Sequence, residues 1–361
     1  MRIGVDVGGT KIEAIALDGE RVLARRRVPA PRDDYRATLC AVRDLVAAVA
    51  QETAQSGTVG VGIPGTISAE TGLVKNANSV WLIGRPFDRD LARAIGQEVR
   101  VANDANCFAL SEATDGAGRG ARVVFGVIVG TGTGGGIVVD GRVLEGRHRI
   151  AGEWGHNPLP WPEPADLPGV PCYCGRSGCI ETVLSGPGLS RTYAALAGEP
   201  GREAAPGDGV PASRVPRAAA ARGARREAPG AGQVGSPARQ PRWGARGAPA
   251  TEIRREAARG DGPPRLKDAA EVAARADAGE AAADSALQIY EGRMARALAS
   301  VINVLDPDII VVGGGLSNIE RLYTNVPARW GPYVFSDHAD TPLVKAAHGD
   351  SSGVRGAAWL W

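Results

Sequence analysis

Three times along this chain a β-branched run breaks into glycines: at Gly4-Val5-Asp6-Val7-Gly8-Gly9-Thr10-Lys11, at Gly130-Thr131-Gly132-Thr133-Gly134-Gly135-Gly136-Ile137 after the run Val123 to Val129, and at Val312-Gly313-Gly314-Gly315. At the end of a strand, glycine lets a phosphate approach backbone N–H groups, and threonine hydroxyls or a lysine add donors. One such loop is as readily an ordinary tight turn. Three in one chain point to phosphate held at strand ends. The middle loop also satisfies G-x-G-x-x-G, which in a dinucleotide-binding unit opens a helix. Here Ile137-Val138-Val139 runs on as a strand into the turn Asp140-Gly141, so a phosphate-binding hairpin fits and a Rossmann unit does not. The G-x-x-x-x-G-K-[ST] loop is absent.

The surroundings of these loops predict an α/β chain. Strands are expected at Arg2 to Val7, Ile12 to Leu17 and Val22 to Val28, with turns at Gly8-Gly9 and Asp18-Gly19. A helix over 34 to 55 places Leu39, Val42, Leu45, Val46 and Val49 on one face, and a strand from Thr58 to Ile63 ends in Pro64-Gly65. A helix (Asp88 to Gly96) and a strand (Glu98 to Ala102) follow. The Val123 block repeats the opening order of strand, glycine turn and strand, which predicts a duplicated architecture. From Asp268 one helical pattern carries Leu287, Tyr290, Met294, Leu298, Val301, Ile302 and Leu305, stopped by Asp306-Pro307 ahead of a strand over Asp308 to Val312.

Composition enters because it is uneven. The 361 residues carry 42 Lys+Arg against 40 Asp+Glu, a net charge of +2 that marks neither a nucleic-acid binder nor an acidic protein. Residues 201 to 265 alone hold 13 Arg, no Lys and 6 acidic residues, so the remainder is mildly acidic. The same tract has nine Pro, eleven Gly and sixteen Ala but no Leu, Phe, Tyr or Met. It cannot bury enough apolar surface to offset an ordering cost of about 1–2 kcal/mol per residue, and is expected to be a disordered insertion. The uncharged stretch Val123 to Val139 is broken by six glycines and cannot span a bilayer. Arg2, Asp6, Lys11 and Glu13 occupy the place of a signal peptide's apolar run, so a cytoplasmic location with no membrane partner is expected.

Two further groups of residues could carry chemistry. Asn103-Asp104-Ala105-Asn106 follows a strand, where an Asp can project into a cleft or, equally, cap the next helix. His156, Cys172, Cys174 and Cys179 form H-x15-C-x-C-x4-C, with Gly175 and Gly178 permitting a tight knuckle. One imidazole and three thiolates match a closed, four-coordinate structural zinc site. Such a brace would fix Glu153 and Glu181, two carboxylates suited to a polyhydroxylated ligand.

Together these pieces resemble the ROK family of sugar kinases and sugar-responsive repressors, within the actin-like ATPase superfamily. The matching segments are Asp6 to Lys11, Gly62-Ile63-Pro64-Gly65, Asn103 to Asn106, Gly130 to Gly136, Glu153-Trp154-Gly155-His156, Cys172 to Glu181 and Gly313 to Ser317. They run through nearly the whole chain except 201 to 265, stopping near Gly198 and resuming near Leu266. Within the family the chain looks most like bacterial fructokinases of the mannokinase type. That likeness rests on Pro31-Arg32-Asp33-Asp34-Tyr35, Lys75-Asn76-Ala77-Asn78-Ser79-Val80-Trp81-Leu82, His156-Asn157-Pro158-Leu159-Pro160-Trp161 and the ending from His348. N-acetylglucosamine kinases share the frame but usually differ after the zinc histidine and around Asn78.

The resemblance implies an actin-like ATPase (ribonuclease H-like) α/β fold with two lobes around a central cleft. It implies an N-terminal lobe over 1–116, a C-terminal lobe over 117–344 and a terminal helix in 345–361 returning to the first lobe. It implies an ATP:hexose 6-phosphotransferase, with fructose favoured and mannose, glucose or an N-acetylhexosamine as alternatives. Asp6 would orient Mg²⁺ through water; Gly9, Thr10 and Lys11 would face the phosphates of ATP, Gly130 to Gly136 the β- and γ-phosphates, and Gly313, Gly314 and Gly315 the adenosine. Sugar would sit against Gly65, Asn103, Asp104, Glu153, His156 and Glu181, with Asp104 as the base. A homodimer is implied by the resemblance alone. A sugar-responsive repressor would need a helix-turn-helix ahead of Asp6, where the chain offers no room, so no nucleic-acid partner is expected.

Overall fold

Strand β1 (Arg2–Val7) turns at Gly8-Gly9 into β2 (Lys11–Asp18), and Gly19, at φ 57°, turns it again into β3 (Arg21–Pro29). The computed structural model describes residues 1–198 and 269–361, and the insertion expected at 201–265 lies outside them. Helix α1 (Tyr35–Thr53) starts where the Asp34 carboxylate accepts the Ala37 N–H and ends at Ala54, in the left-handed region. It buries Thr38, Val42, Leu45, Val46 and Val49 on the hairpin strands and returns the chain to β4 (Thr58–Ile63). A ribbon of β5 (Thr66–Ile67) and β6 (Val74–Lys75) and helix α2 (Phe87–Ile95) lead to β7 (Val99–Asn103). The sheet order is β3-β2-β1-β4-β7, antiparallel in the hairpins and parallel where a helical crossover intervenes.

The second sheet repeats this order. β8 (Val123–Val129), β9 (Thr133–Val139), β10 (Arg142–Val143), β11 (Ile309–Gly313) and β12 (Leu343–Lys345) pair as β10-β9-β8-β11-β12, with β8-β11-β12 parallel. Each lobe thus holds three meandering strands and two crossover strands, the fold of the actin-like ATPases.

The helical pattern expected as one element from Asp268 is two. Helix α6 (Ala269–Asp277) stops before Gly279, at φ 89°, and α7 (Ala281–Leu305) begins after it. A residue in the left-handed region cannot continue a right-handed helix. Leu287, Tyr290, Met294, Leu298 and Ile302 of α7 are buried in the second core with α4 (Glu181–Leu184), α5 (Gly186–Leu196) and Trp330, which lies in α9 (Pro327–Trp330) after α8 (Leu322–Asn325).

The two lobes exchange helices. Helix α3 (Asp104–Thr114) follows the last strand of the first sheet but lies on β8 and β9 of the second. Helix α10 (Ser352–Ala358) follows the last strand of the second sheet and lies on β1 and β4 of the first. The helices also pack on each other, so close that a Cβ on Gly356 would stand 1.6 Å from the Cys107 carbonyl oxygen. We expect Gly356→Ala to push the two helices apart and to cost about 1–3 kcal/mol, toward the upper end because backbone must move. Denaturant unfolding checks this; an unchanged midpoint would refute the contact. Beside it, buried Glu112 of α3 accepts from Ala117 N (2.9 Å), Ala347 N (2.9 Å) and Ser352 Oγ (2.8 Å), pinning α3 to the approach to α10. Among the described residues no helix is long and apolar enough to cross a membrane.

Candidate active site

Asp6 and Asp104 come from the ends of β1 and β7, two parallel strands of the first sheet. In the register Asp6 faces Glu13 on β2, and Glu13 faces Arg27 on β3, a cross-strand row of two carboxylates and a guanidinium. Glu13, 1% exposed, accepts from Arg27 Nη2 at 2.6 Å and Nε at 3.0 Å and also from Arg25. Burial raises the Asp6 carboxyl to about 7; the charges of Asp104 and Glu13 push further that way, opposed by Lys11 and Arg27. A carboxylate so enclosed, with two acidic neighbours, suits a hard divalent cation, and Mg²⁺ fits Asp6 on that ground. Neither Glu13 nor Arg27 stood out in the sequence, since strand alternation alone does not say which charged residues face inward.

The two readings of Asn103-Asp104 separate. Asn103 is the cap of α3: its Oδ1 accepts Ala105 N at 2.9 Å and Asn106 N at 3.4 Å, while its Nδ2 donates to Gly65 O at 3.2 Å. Asp104 is the first helical residue, and one of its oxygens accepts Ala105 N at 2.8 Å. Burial raises Asp104 to about 6, Ala105 N–H opposing it and the Glu153 charge adding to it. A carboxyl in that range is matched to base work near neutral pH.

The predicted phosphate residues fall into two groups. The first and third loops are open at Gly9 and Gly315, where nothing lies within 4 Å of a Cβ; Gly130 meets only Gly315 N, at 3.9 Å, so the second and third loops are neighbours, while a Cβ on Gly132 would stand 2.7 Å from Glu181 Oε2. Gly4, Val5 and Val7 instead lie in the body of β1, and Gly134, Gly135, Gly136 and Ile137 in the body of β9. A Cβ on Gly136 would stand 2.4 Å from Ala105 O, and one on Gly135 would stand 2.8 Å from Trp154, so there glycine serves packing. Gly313 ends β11 against the Phe108 ring, and Gly314 follows at φ 84°.

Glu181 joins the second loop to the sugar-side residues. Its Oε2 accepts Thr133 N at 3.0 Å. Glu153 is held above the ordinary carboxylate range by burial, His156 and Lys75 opposing and Glu181 reinforcing. Lys75 also donates to His148 O at 2.8 Å, one of the contacts between the β5–β6 ribbon and the second lobe. Asp6, Asp104, Glu153 and Glu181 form an electrostatic series, each carboxylate feeling the charge of the next.

The four expected zinc ligands converge, with ligand atoms within 4.8 Å of one another. His156 Nδ1 lies 3.6 Å from Cys172 Sγ, and Cys174 Sγ lies 3.6 Å from Cys179 Sγ. Tetrahedral zinc with bonds near 2.3 Å to sulfur and 2.0–2.1 Å to nitrogen needs corners roughly 3.6–3.8 Å apart, so the donor set fits. His156 Nε2, the other ring nitrogen, meets Tyr173 Oη at 3.0 Å. Tyr173 lies within the quoted knuckle motif, but no spacing rule marked it. Its phenol is pushed up by burial and then by the charges of Glu181, Cys172 and Glu153.

With this frame and this series of residues the chain belongs to the ROK family, whose model matches residues 2–228 and 247–361. The match reaches further into the basic tract than the motifs did, leaving out only 229–246 of it. Among its relatives, the N-acetyl-D-glucosamine kinase of Yersinia pseudotuberculosis is 35% identical over 365 aligned residues, covering 100% of this chain and 98% of the relative. That of Vibrio vulnificus is 34% identical over 366, covering 100% and 99%. Of solved structures, the ROK hexokinase from Thermus thermophilus superimposes with a TM-score of 0.72 at 26% identity, covering 99% of this chain and 96% of that one. A ROK glucokinase from Streptomyces griseus, at 24% identity and a TM-score of 0.67, covering 99% and 98%, shares the fold.

Proposed function

We propose that this protein transfers the γ-phosphoryl group of ATP to the 6-hydroxyl of a hexose, with Asp104 as general base. The observation that carries the reading is the pair Asp6 and Asp104 at parallel strand ends, each feeling the other's charge, with Asp104 coupled through Glu153 to Glu181, which meets the second glycine loop. Asp104 accepts the proton as the hydroxyl oxygen attacks the γ-phosphorus, and ADP leaves toward the loops around Gly9, Gly130 and Gly315. Phosphoryl transfer asks mainly for positioning and charge stabilisation, with one base at the nucleophile. Mg²⁺ at Asp6, when bound, neutralises charge on the phosphates. Zinc held by His156, Cys172, Cys174 and Cys179 is structural: it fixes Glu181, two residues beyond Cys179.

The sugar we assign is D-fructose. The segments that carry the fructokinase likeness border the sugar-side residues: Gly65, through its near approach to Lys75 O and Ala77, touches the loop around Asn78, and Asn157 accepts from Ile180 N, next to Glu181. The second reading is N-acetyl-D-glucosamine, which the names of the curated relatives favour. At 35% identity both remain open to the same scaffold, because a few pocket groups set sugar choice. The test is kcat/KM with ATP for D-fructose, D-mannose, D-glucose, N-acetyl-D-glucosamine and N-acetyl-D-mannosamine. Fructose is expected to lead. An N-acetylhexosamine in first place replaces fructose by the second reading, and no turnover with any hexose defeats both.

A further inference from the structure

The lobes also meet through the β5–β6 ribbon. After β10 the chain runs through 144–152 to Glu153, and this segment folds on itself: Arg149 N donates to Gly146 O and Ala151 N to Glu145 O, both at 3.2 Å. Arg149 stands in the left-handed region at φ 54°, which a residue with a side chain keeps only where its surroundings enforce it. Its guanidinium, held by Glu145 at 3.3 Å, donates from Nη1 to Ile67 O of β5 at 3.4 Å. In the other direction Lys75 Nζ of β6 donates to His148 O at 2.8 Å. Each lobe thus offers one cation to a backbone carbonyl of the other. The ends on one side are consecutive residues, and those on the other lie on paired strands.

The two segments joined in this way both lead to sugar-side residues. Gly65 precedes β5, and a Cβ on it would stand 2.4 Å from Lys75 O. At the other end Gly152, one residue before Glu153, lies at φ 93° with its Cβ position 2.4 Å from Gly135 O of β9. Lys75 therefore backs Gly65 with its carbonyl while its ammonium grips the approach to Glu153. Its charge also reaches Glu153, opposing the effect of burial there.

We propose that Lys75 and Arg149 form a reciprocal clasp between the lobes, with Lys75 its main positioning residue, holding Gly65 and Glu153 at the spacing the sugar needs. The proposal rests on the hexose kinase reading and deepens it by naming what preassembles that site. Neither side chain need touch the sugar. With the clasp lost, the two sides of the site are aligned for a smaller fraction of the time, and apparent sugar affinity falls by that fraction. Saturating sugar restores the alignment, so the loss falls on KM and not on kcat.

The experiment is steady-state kinetics with ATP and the preferred hexose, with sugar binding by calorimetry, for Lys75→Met, Arg149→Met, the double variant, Lys75→Arg and Arg149→Lys. Lys75→Met should raise the KM and Kd for sugar by about 2- to 10-fold, the scale of one hydrogen bond. Arg149→Met, which loses the longer contact, should raise them less. The kcat and the KM for ATP should stay near wild type. Because the two contacts act as a unit, the loss in the double variant should fall short of the product of the single losses. Lys75→Arg should return most of the affinity. Wild-type sugar affinity in Lys75→Met, single losses that multiply in the double variant, an equal loss in kcat or in the KM for ATP, or no recovery in Lys75→Arg would overturn the proposal. Should Lys75→Met not fold, Arg149→Met and its recovery in Arg149→Lys decide by the same criteria. A wild type that phosphorylates a hexose while the variants match it sinks only this proposal; a wild type that turns over no hexose sinks the kinase reading and this proposal with it.

Discussion

Asp104→Asn should fold normally and lose about 10²- to 10⁴-fold in turnover, the range for removing a general base. The fold is expected to survive because Asn103, not Asp104, caps α3. Amide for carboxylate keeps the shape while removing the site for the proton. The same change should alter stability with a definite sign. The folded carboxyl, at about 6, lies above its ordinary value of 3.8, so the folded chain binds the proton more tightly than the unfolded one. Its contribution is therefore fully present below pH 3.8 and lost as pH rises through about 6. At roughly 1.4 kcal/mol per pH unit, wild type carries a cost on the order of 3 kcal/mol at pH 8 that Asp104→Asn lacks. In the empty protein the variant should unfold later than wild type at pH 8 and together with it near pH 4. In wild type, kcat/KM should rise through an acid limb between about 6 and 7 that belongs to Asp104 and Asp6 jointly, since each feels the other's charge. Turnover near wild type in the variant would defeat the assignment of the base.

Loss of the knuckle's metal is the second large effect. We expect about one zinc per chain by elemental analysis, and loss of it in Cys179→Ala. Cys179 is buried, and its neighbours are tied to the segment after His156: Ile180 N donates to Asn157 O and Leu159 N to Gly178 O, both at 2.9 Å. Glu181 follows directly and accepts from Thr133 N of the second glycine loop. Without the metal, two like-charged or neutral thiols and an imidazole no longer hold 156–159 to 172–181, so His156 and Glu181 lose their positions together. Metal binding to such a site is folding free energy, on the order of 10 kcal/mol in small zinc peptides. The variant should show a lowered unfolding midpoint and at least about 10-fold lower kcat/KM for the sugar, the least seen when ligand positioning fails. A strong chelator should reproduce both losses in wild type, and zinc should reverse them. Fully active protein without metal would rule out the brace.

Much of this was legible in the chain because it is local. The strand Thr58–Ile63 and the helix face of Val42, Leu45, Val46 and Val49 follow from side-chain period, which backbone geometry imposes on neighbours a few residues apart. The duplicated order of strands followed from two glycine-marked hairpins. The break at Gly279 escaped because the apolar spacing on either side reads as one helix. Glycine was the least transparent signal: at Gly9 and Gly315 its freedom leaves space, and at Gly136 and Gly356 it admits another backbone. Sequence spacing cannot separate the two uses, since both are defined by what comes from elsewhere in the chain.

The sequence by itself determined that the chain is α/β and duplicated, that it offers glycine loops at strand ends, and that one histidine and three cysteines sit at metal-ligand spacing. Only the tertiary structure decided that Asn103 caps so that Asp104 need not, that Glu13 and Arg27 stand in a row with Asp6, and that Tyr173 rather than open space meets His156 Nε2. The division has one physical cause. Propensity, period and ligand spacing act over a few residues, whereas burial, charge pairing and the direction of a side chain depend on strands and helices far apart in sequence, here across two lobes that exchange α3 and α10.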